Sequence, residues 1–276
     1  MVMIKVLVTF LPPLIDVFHL VWRVCLLKRK RNNLSKNYFS YMHISGFEKF
    51  TLLDYPGKMV AVVFTPGCVF RCPFCHNPEL IEPRDKESKK LFLENKEKEF
   101  FEFLEKRKGK LDGVCITGGE PTLQKDLLSF IKKVKKMGFL VKLDTNGLFP
   151  DRVEKIMDAD VVDYWAIDIK HTKEKYHIAT GKKISIEKIE RSVQLLMKRA
   201  KDYEFRTTVV PGIHEEKDFN AIADWIDGAK AYYLQEFRGG KVLDPKVEEN
   251  ARDKKVDLDS ILKHIGNRFE KMEIRR

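Results

Sequence analysis

The chain has 276 residues, 43% hydrophobic and 34% charged, with a formal net charge of +11. That length supports one large core or two small ones, and five cysteines are too few to make it a small disulfide-framed secreted domain. Residues 1–41 hold seven Lys and Arg against the single anion Asp16, which leaves only +5 for the other 235 residues, so no nucleic-acid-binding surface is expected of the body.

Residues 1–27 are apolar and are followed by Lys28-Arg29-Lys30-Arg31. A membrane-spanning helix needs about 20 mostly apolar residues. Here the longest uncharged run, Val6–Ile15, contains Pro12-Pro13 and stops at Asp16, and Arg23 interrupts again. A secretory signal would carry its cations ahead of the apolar stretch. Residues 1–41 are therefore expected to be an N-terminal extension, a misassigned start or a weak membrane-interacting segment, with the folded domain opening at Met42 and membrane anchoring not expected.

From Met42 onward, strand-like and helix-like segments alternate. Met59–Phe64 is a continuous apolar run suited to a buried parallel strand. A helical stretch at 88–108 offers Phe92, Phe100, Phe101, Phe103 and Leu104 as its apolar face. Val114–Thr117 reads as a second strand, and the helix at 124–137 sets Leu127, Leu128, Phe130, Ile131 and Val134 against a lysine face. Phe139–Asp144, a helix at 151–158 and Val162–Asp168 follow, then a helix at 185–201, Glu204–Val210, a helix at 216–228 and Ala231–Phe237. Helices separating apolar strands call for right-handed crossovers and a parallel sheet. Six βα units fall short of the eight of a closed barrel. The expected class is α/β, an open partial (β/α)6 TIM-like barrel over residues 42–245. Residues 246–276 are expected to be a charged tail with one helix at 257–268.

Chemistry in such folds sits on loops at the C-terminal ends of the strands, and four motifs fall there: Gly67–His76, Gly118–Thr122, Asp144–Gly147 and Asp168–Lys170. In the first, Cys68-x3-Cys72-x2-Cys75 places three thiols on one short loop. An iron–sulfur cube ordinarily takes four cysteine ligands, so three leave one iron open, as a catalytic metal requires. Cys115 lies inside a strand and Cys25 in the extension, and neither obviously completes the set. A structural zinc with His76 as fourth ligand is disfavoured, because adjacent Cys75 and His76 are awkward for tetrahedral closure. Gly118-Gly119-Glu120-Pro121 on its own reads as a turn before a helix, and Asp144-Thr145-Asn146-Gly147 as a turn signal. Beside a cysteine loop, the glycines offer close backbone approach and Glu120 an acceptor for an ammonium.

The run Gly67-Cys68-Val69-Phe70-Arg71-Cys72-Pro73-Phe74-Cys75-His76-Asn77-Pro78-Glu79-Leu80 resembles the cluster loop of radical S-adenosylmethionine (SAM) enzymes, with the Cys-His-Asn ending typical of activating enzymes of glycyl-radical enzymes. Phe47-x-Lys49-Phe50-Thr51-Leu52-Leu53-Asp54-Tyr55-Pro56-Gly57-Lys58 is similar to the activating proteins of anaerobic ribonucleoside-triphosphate reductase. The resemblance covers residues 42–245. It implies a [4Fe–4S] cluster on Cys68, Cys72 and Cys75 that cleaves SAM reductively. It also implies SAM contacts from Phe74, Cys75, His76, Gly118, Gly119, Glu120, Asn146, Asp168, Ile169, Lys170 and Arg206, and a monovalent cation held near Asp144, Thr145 and Asp168. Where some relatives carry a histidine after the sixth strand, this chain reads Leu234-Gln235-Glu236-Phe237-Arg238, which puts a SAM contact there in doubt. The implied partners are a glycyl-radical enzyme, with anaerobic ribonucleotide reductase foremost, and a one-electron donor such as flavodoxin or ferredoxin, in the reducing cytoplasm that the cysteine usage suggests. The rival readings are a radical SAM enzyme acting on a small molecule or modified nucleoside, and a zinc-binding nucleic-acid module.

Overall fold

Alternation along each strand decides the architecture. The structure, a computed structural model, describes residues 42–83 and 85–276; the extension expected at 1–41 lies outside the described residues. The strands are β1 (Gly46–Thr51), β2 (Val60–Thr65), β3 (Gly113–Gly118), β4 (Leu140–Thr145), β5 (Tyr164–Asp168), β6 (Tyr203–Val209), β7 (Ala231–Glu236) and β8 (Lys271–Arg275). They pair in chain order as one sheet, β1 antiparallel to β2 and the rest parallel. The sheet begins at β1 and ends at β8, so the barrel is open. This is the expected α/β architecture, with all six anticipated strands in place.

One set of alternating side chains, including Val63, Ile116, Leu143, Ile167 and Phe205, packs against helical residues such as Phe100, Phe130, Val153 and Val193 in the main core. Burial of each such side chain contributes about 1.5–3 kcal/mol. The opposite set starts apolar, with Val60, Val62 and Cys115 clustered around Tyr55. It then turns polar at Lys142, Asp144, Glu204 and Arg206. The helices flanking the strands are α1 (Lys86–Leu93), α2 (Glu97–Glu105), α3 (Leu127–Lys136), α4 (Pro150–Asp158), α5 (Tyr176–Thr180), α6 (Ile186–Arg199) and α7 (Asp218–Trp225), followed by α8 (Lys246–Ala251) and α9 (Leu258–Ile265). Among the described residues, no helix is long and apolar enough to cross a membrane.

Three features differ from the sequence-based expectation. The helix anticipated at 88–108 is two helices, because the Ile44 strand-entry segment docks at the break: Ile44 N–H donates to Asn95 Oδ1 at 3.2 Å and Lys96 N–H to Ile44 O at 2.9 Å. β1 is polar enough to read as a loop, yet it adds an antiparallel edge to β2. The charged stretch after 245 contributes β8, which pairs with β7 from Ala231↔Lys271 to Gln235↔Arg275. Its Arg275 reads as solvated because its partner, Glu204, lies far off in the chain.

Beyond β5 and β6, the buried rings of His171 and His214 stack at 4.7 Å. His214 Nδ1 accepts from Val210 N–H at 3.0 Å, and its Nε2 lies 2.9 Å from the Lys170 carbonyl, to which only an N–H donates. The ring is therefore neutral. Burial first, and the neighbouring His171 second, push its pKa from 6.5 down to about 4. The unfolded chain takes up this proton before the folded one, so stability present above pH 6.5 declines as the pH falls toward 4. His214→Gln is expected to flatten that part of a denaturation-versus-pH curve; an unchanged slope would show that this ring titrates freely in the folded protein.

Candidate active site

The pleat carries Thr117 on β3, Asp144 on β4, Asp168 on β5 and Arg206 and Thr208 on β6 to the same side of the sheet, and the strand-end loops bring in the rest. Cys68, Cys72, Phe74, Cys75, His76, Gly118, Gly119, Glu120, Asp144, Thr145, Asn146, Asp168, Lys170 and Arg206 line one cavity of about 210 Å³. Ile169 is the exception among the residues singled out from the sequence. Alternation turns it into the main core, fully buried, and β6 takes both of its backbone groups: Ile169 N–H donates to Arg206 O at 2.8 Å, and Thr207 Oγ1 donates to Ile169 O at 2.8 Å.

The cysteine loop is strapped from several directions. Gly67 N–H donates to Leu80 O at 2.7 Å, and Arg71 N–H to Thr180 O at 2.8 Å. The Arg71 guanidinium closes back onto the carbonyls of Cys68 and Phe70 at 2.7 and 2.8 Å. From beyond β7, Leu243 N–H reaches Cys75 O at 3.0 Å and Asp244 N–H reaches Pro73 O at 2.9 Å. His76 is drawn outward, its Nε2 2.8 Å from Arg238 O and its ring 5.7 Å from Phe237. Phe74 is buried, with the Lys170 ammonium 5.9 Å from its ring centroid. Burial pushes the Cys68 thiol up to about 11 and Cys72 to about 12, and raises Cys75 too.

Glu120, fully buried, ties two strand ends together. Its Oε1 accepts from Thr122 N–H at 3.0 Å, from the Thr122 hydroxyl, and from Thr145 Oγ1 at 2.7 Å; its Oε2 accepts from Asn146 N–H at 2.7 Å. Burial raises its carboxyl even against those four donors. Gly118, at φ +114°, lies against the end of β2 at Phe64 and Thr65, and Gly119 presses against the cysteine loop so closely that a Cβ on it would run into the Gly67 carbonyl. Gly119→Ala is expected to displace that loop and lower the iron bound per chain at least severalfold on anaerobic reconstitution, read by iron assay; full loading would show that the approach is not needed.

Deeper in, five charged side chains interlock. Lys142 Nζ lies 2.6 Å from Asp144 Oδ1; Arg206 spans Asp144 Oδ2 at 3.0 Å and Asp168 Oδ1 at 2.8 Å; Lys170 Nζ lies 2.9 Å from Asp168 Oδ2. Burial acts to raise Asp144 and Asp168, but the adjacent cations outweigh it and hold both carboxyls below their ordinary range. Below them Glu204, fully buried, takes a two-pronged pair from Arg275 at 2.7 and 3.1 Å.

The model of the radical SAM superfamily matches residues 62–226, from β2 through α7. A protein of Methanocaldococcus jannaschii named "Putative glycyl-radical enzyme activating enzyme" is 32% identical over 84% of this chain and 95% of its own. The chain belongs to the radical SAM superfamily, among its glycyl-radical enzyme activating enzymes. The pyruvate formate-lyase-activating enzyme of Streptococcus mutans serotype c is 29% identical over 68% of this chain and 73% of its own. Streptococcus suis SuiB shares the fold, with a TM-score of 0.56 at 13% identity over 79% of this chain; the match spans about half, 49%, of that longer protein.

Membership of the radical SAM superfamily implies a [4Fe–4S] cluster and SAM, and the residues of this activating-enzyme relative fit them. Cys68, Cys72 and Cys75 are free thiols on one loop facing one cavity, placed where burial keeps them protonated until a metal takes the proton's place. Among the described residues no three His, Cys, Asp or Glu side chains gather around a single ion; a cube, whose irons each take one thiolate, does not ask that of them. The monovalent cation does not fit: every oxygen of Asp144 and Asp168 is already held by Lys142, Arg206 or Lys170.

Sequence reasoning overlooked Lys142, Glu204, Thr208 and Arg275. A signal existed for the first: a lysine inside the apolar strand Leu140-Val141-Lys142-Leu143, two residues from Asp144 and therefore on its face. For Arg275 there was none.

Proposed function

We propose that the protein cleaves SAM reductively at a [4Fe–4S] cluster held by Cys68, Cys72 and Cys75, and installs a glycyl radical on a partner enzyme, anaerobic ribonucleoside-triphosphate reductase. When bound, the cluster supplies one electron that splits SAM into methionine and a 5′-deoxyadenosyl radical, and that radical takes a hydrogen atom from the partner's glycine. The chain's own part is placement. Gly118, Gly119 and the Glu120 carboxylate receive the amino end of SAM, Asn146, Lys170 and Arg206 border its carboxylate and ribose, and the backbone at Phe74–His76 receives adenine. The reading requires no general base or nucleophile. A flavodoxin- or ferredoxin-type donor in a reducing cytoplasm completes the scheme.

The observation that carries the choice of a protein substrate is a groove of about 920 Å³ that shares His76, Arg206 and Thr208 with the cavity. It runs between the turn after β1 and strand β8, where the sheet is open. Its outer wall is the segment Leu52–Gly57, part of the stretch that resembles the reductase-activating proteins. That turn is tight, with Thr51 Oγ1 donating to Asp54 Oδ2 at 2.8 Å and Leu53 N–H donating to Thr51 Oγ1 at 3.0 Å. It leaves Leu52 60% and Leu53 87% exposed, beside exposed Phe50. Apolar side chains held out at the mouth of a groove suit a protein surface and serve no small polar molecule.

The test is electron paramagnetic resonance of the anaerobic reductase mixed with this protein, SAM and dithionite. A glycyl doublet with one 5′-deoxyadenosine formed per radical is expected. Release of 5′-deoxyadenosine with no signal from any glycyl-radical enzyme, together with turnover of a nucleoside, would favour the small-molecule reading.

A further inference from the structure

The pair Asp144 and Asp168 sits at the ends of β4 and β5 with four carboxylate oxygens, a natural seat for a small hard cation. The chain fills that seat itself. Lys142 and Arg206 take the two oxygens of Asp144, and Arg206 and Lys170 take those of Asp168. Lys142 is the unusual member. It projects from the middle of β4, its side chain is 1% exposed, and its ammonium is paired with Asp144 Oδ1 at 2.6 Å and Glu204 Oε1 at 3.7 Å. The charges nearly cancel: Asp144, Asp168, Glu204 and Glu120 stand against Lys142, Lys170, Arg206 and Arg275. An inorganic cation entering here would have to lie beside an ammonium and a guanidinium with no free carboxylate oxygen, so repulsion opposes it.

We infer that the Lys142 ammonium is a tethered substitute for a monovalent cation, and that it sets the Asp144 carboxylate and, through Arg206, Asp168 without potassium or sodium. An ammonium is close to a potassium ion in size and charge and prefers the same oxygen ligands. Tethered to the strand, it is present at full occupancy whatever the salt, whereas a free ion binds only in proportion to its concentration. The inference rests on the proposed reading that this cavity receives SAM, and it names how that site is kept in shape.

The test compares potassium, sodium and choline chlorides at equal ionic strength. For the wild-type holoenzyme, SAM affinity by calorimetry and 5′-deoxyadenosine release are expected to agree within about twofold across the three salts. A tenfold advantage for potassium would overturn the inference. In choline chloride, Lys142→Ala leaves Asp144 and Glu204 short of a cation in a buried space, and SAM affinity is expected to fall about tenfold or more. Ammonium or potassium chloride should restore it severalfold, and Lys142→Met, which fills the space without a charge, should not be restored. Lys142→Ala that binds SAM like the wild type in choline, or that no cation rescues, would refute the role.

A second readout needs neither cluster nor SAM. The apo thermal midpoint of Lys142→Ala should rise with ammonium or potassium relative to choline, while that of the wild type should not. If the wild type releases no 5′-deoxyadenosine in any salt, the proposed function fails, and this thermal comparison still decides whether Lys142 replaces a cation.

Discussion

Cys72→Ala, purified and reconstituted without oxygen, is expected to hold far less than the roughly four irons of an intact cube and to release no 5′-deoxyadenosine from SAM and dithionite. In the proposed cluster each thiolate would serve a different iron, so loss of one would leave a cube with two protein ligands on a loop that offers three. Cys72 is the most enclosed of the three, 7% exposed, and among the described residues the one cysteine outside the loop, Cys115, lies in β3. Cys115 is the control. It sits in mid-strand, paired with Val62 and Lys142, three residues below the end of β3 and so about 10 Å beneath the rim. Cys115→Ala should therefore keep its iron. Undiminished 5′-deoxyadenosine from Cys72→Ala would falsify the cluster assignment.

Arg275→Ala should be the most destabilising single change in the last strand. Glu204 is fully buried and depends on Arg275 for a two-pronged pair at 2.7 and 3.1 Å. Removal of one partner of a buried pair costs about 3–5 kcal/mol, because the other charge stays behind unpaired. Lys142 at 3.7 Å, Arg206 at 3.6 Å and the Tyr164 hydroxyl at 3.2 Å remain around Glu204. These place the loss near the lower end, about 3 kcal/mol, or a midpoint lower by roughly 6–12 °C. Arg276, whose pair with Asp259 is exposed on both sides, is the control; its alanine variant should stay within about 0.5 kcal/mol.

The acid side supplies an independent reading of the same pair. Burial acts to raise the Glu204 carboxyl, but Arg275, Lys142 and Arg206 outweigh it and hold it below its ordinary 4.5. A carboxyl depressed in the folded state gives stability above its unfolded pKa and loses it as acid protonates it. The gap between wild type and Arg275→Ala should therefore narrow below pH 4.5. A gap that stays constant into acid would mean that Glu204 is not what Arg275 holds.

Much of this site was legible before any fold was known. Three cysteines spaced within eight residues declare a cluster loop because ligand spacing on one loop is a local property. The apolar run of β2 and the regular alternation of strand-like with helix-like segments declare a parallel sheet, because helical crossovers join parallel neighbours. Once strands are assigned, Glu120, Asp144 and Asp168 follow as residues at or just beyond strand ends, whereas Arg206, at the middle of β6, came only from the family resemblance. Ile169 shows where reading by motif fails: membership of a strand-end triplet said nothing of its side, and the pleat turned it to the helices.

Arg275 and Lys142 mark the boundary. Charges in a hydrophilic tail are indistinguishable from solvated ones until a strand carries them inward, and Arg275 meets Glu204 across 71 residues of chain. Lys142 is a lone charge in an apolar strand, and it became a counter-ion only when β4 and β6 brought Asp144, Glu204 and Arg206 around it. Residue type and spacing by themselves determined the strand-end motifs and the family they resemble, since loop ligands, strand runs and turns act over a few bonds. Its electrostatic setting was decided only in three dimensions, because a buried charge takes its energy from whichever groups the fold sets within a few ångströms, however distant in sequence.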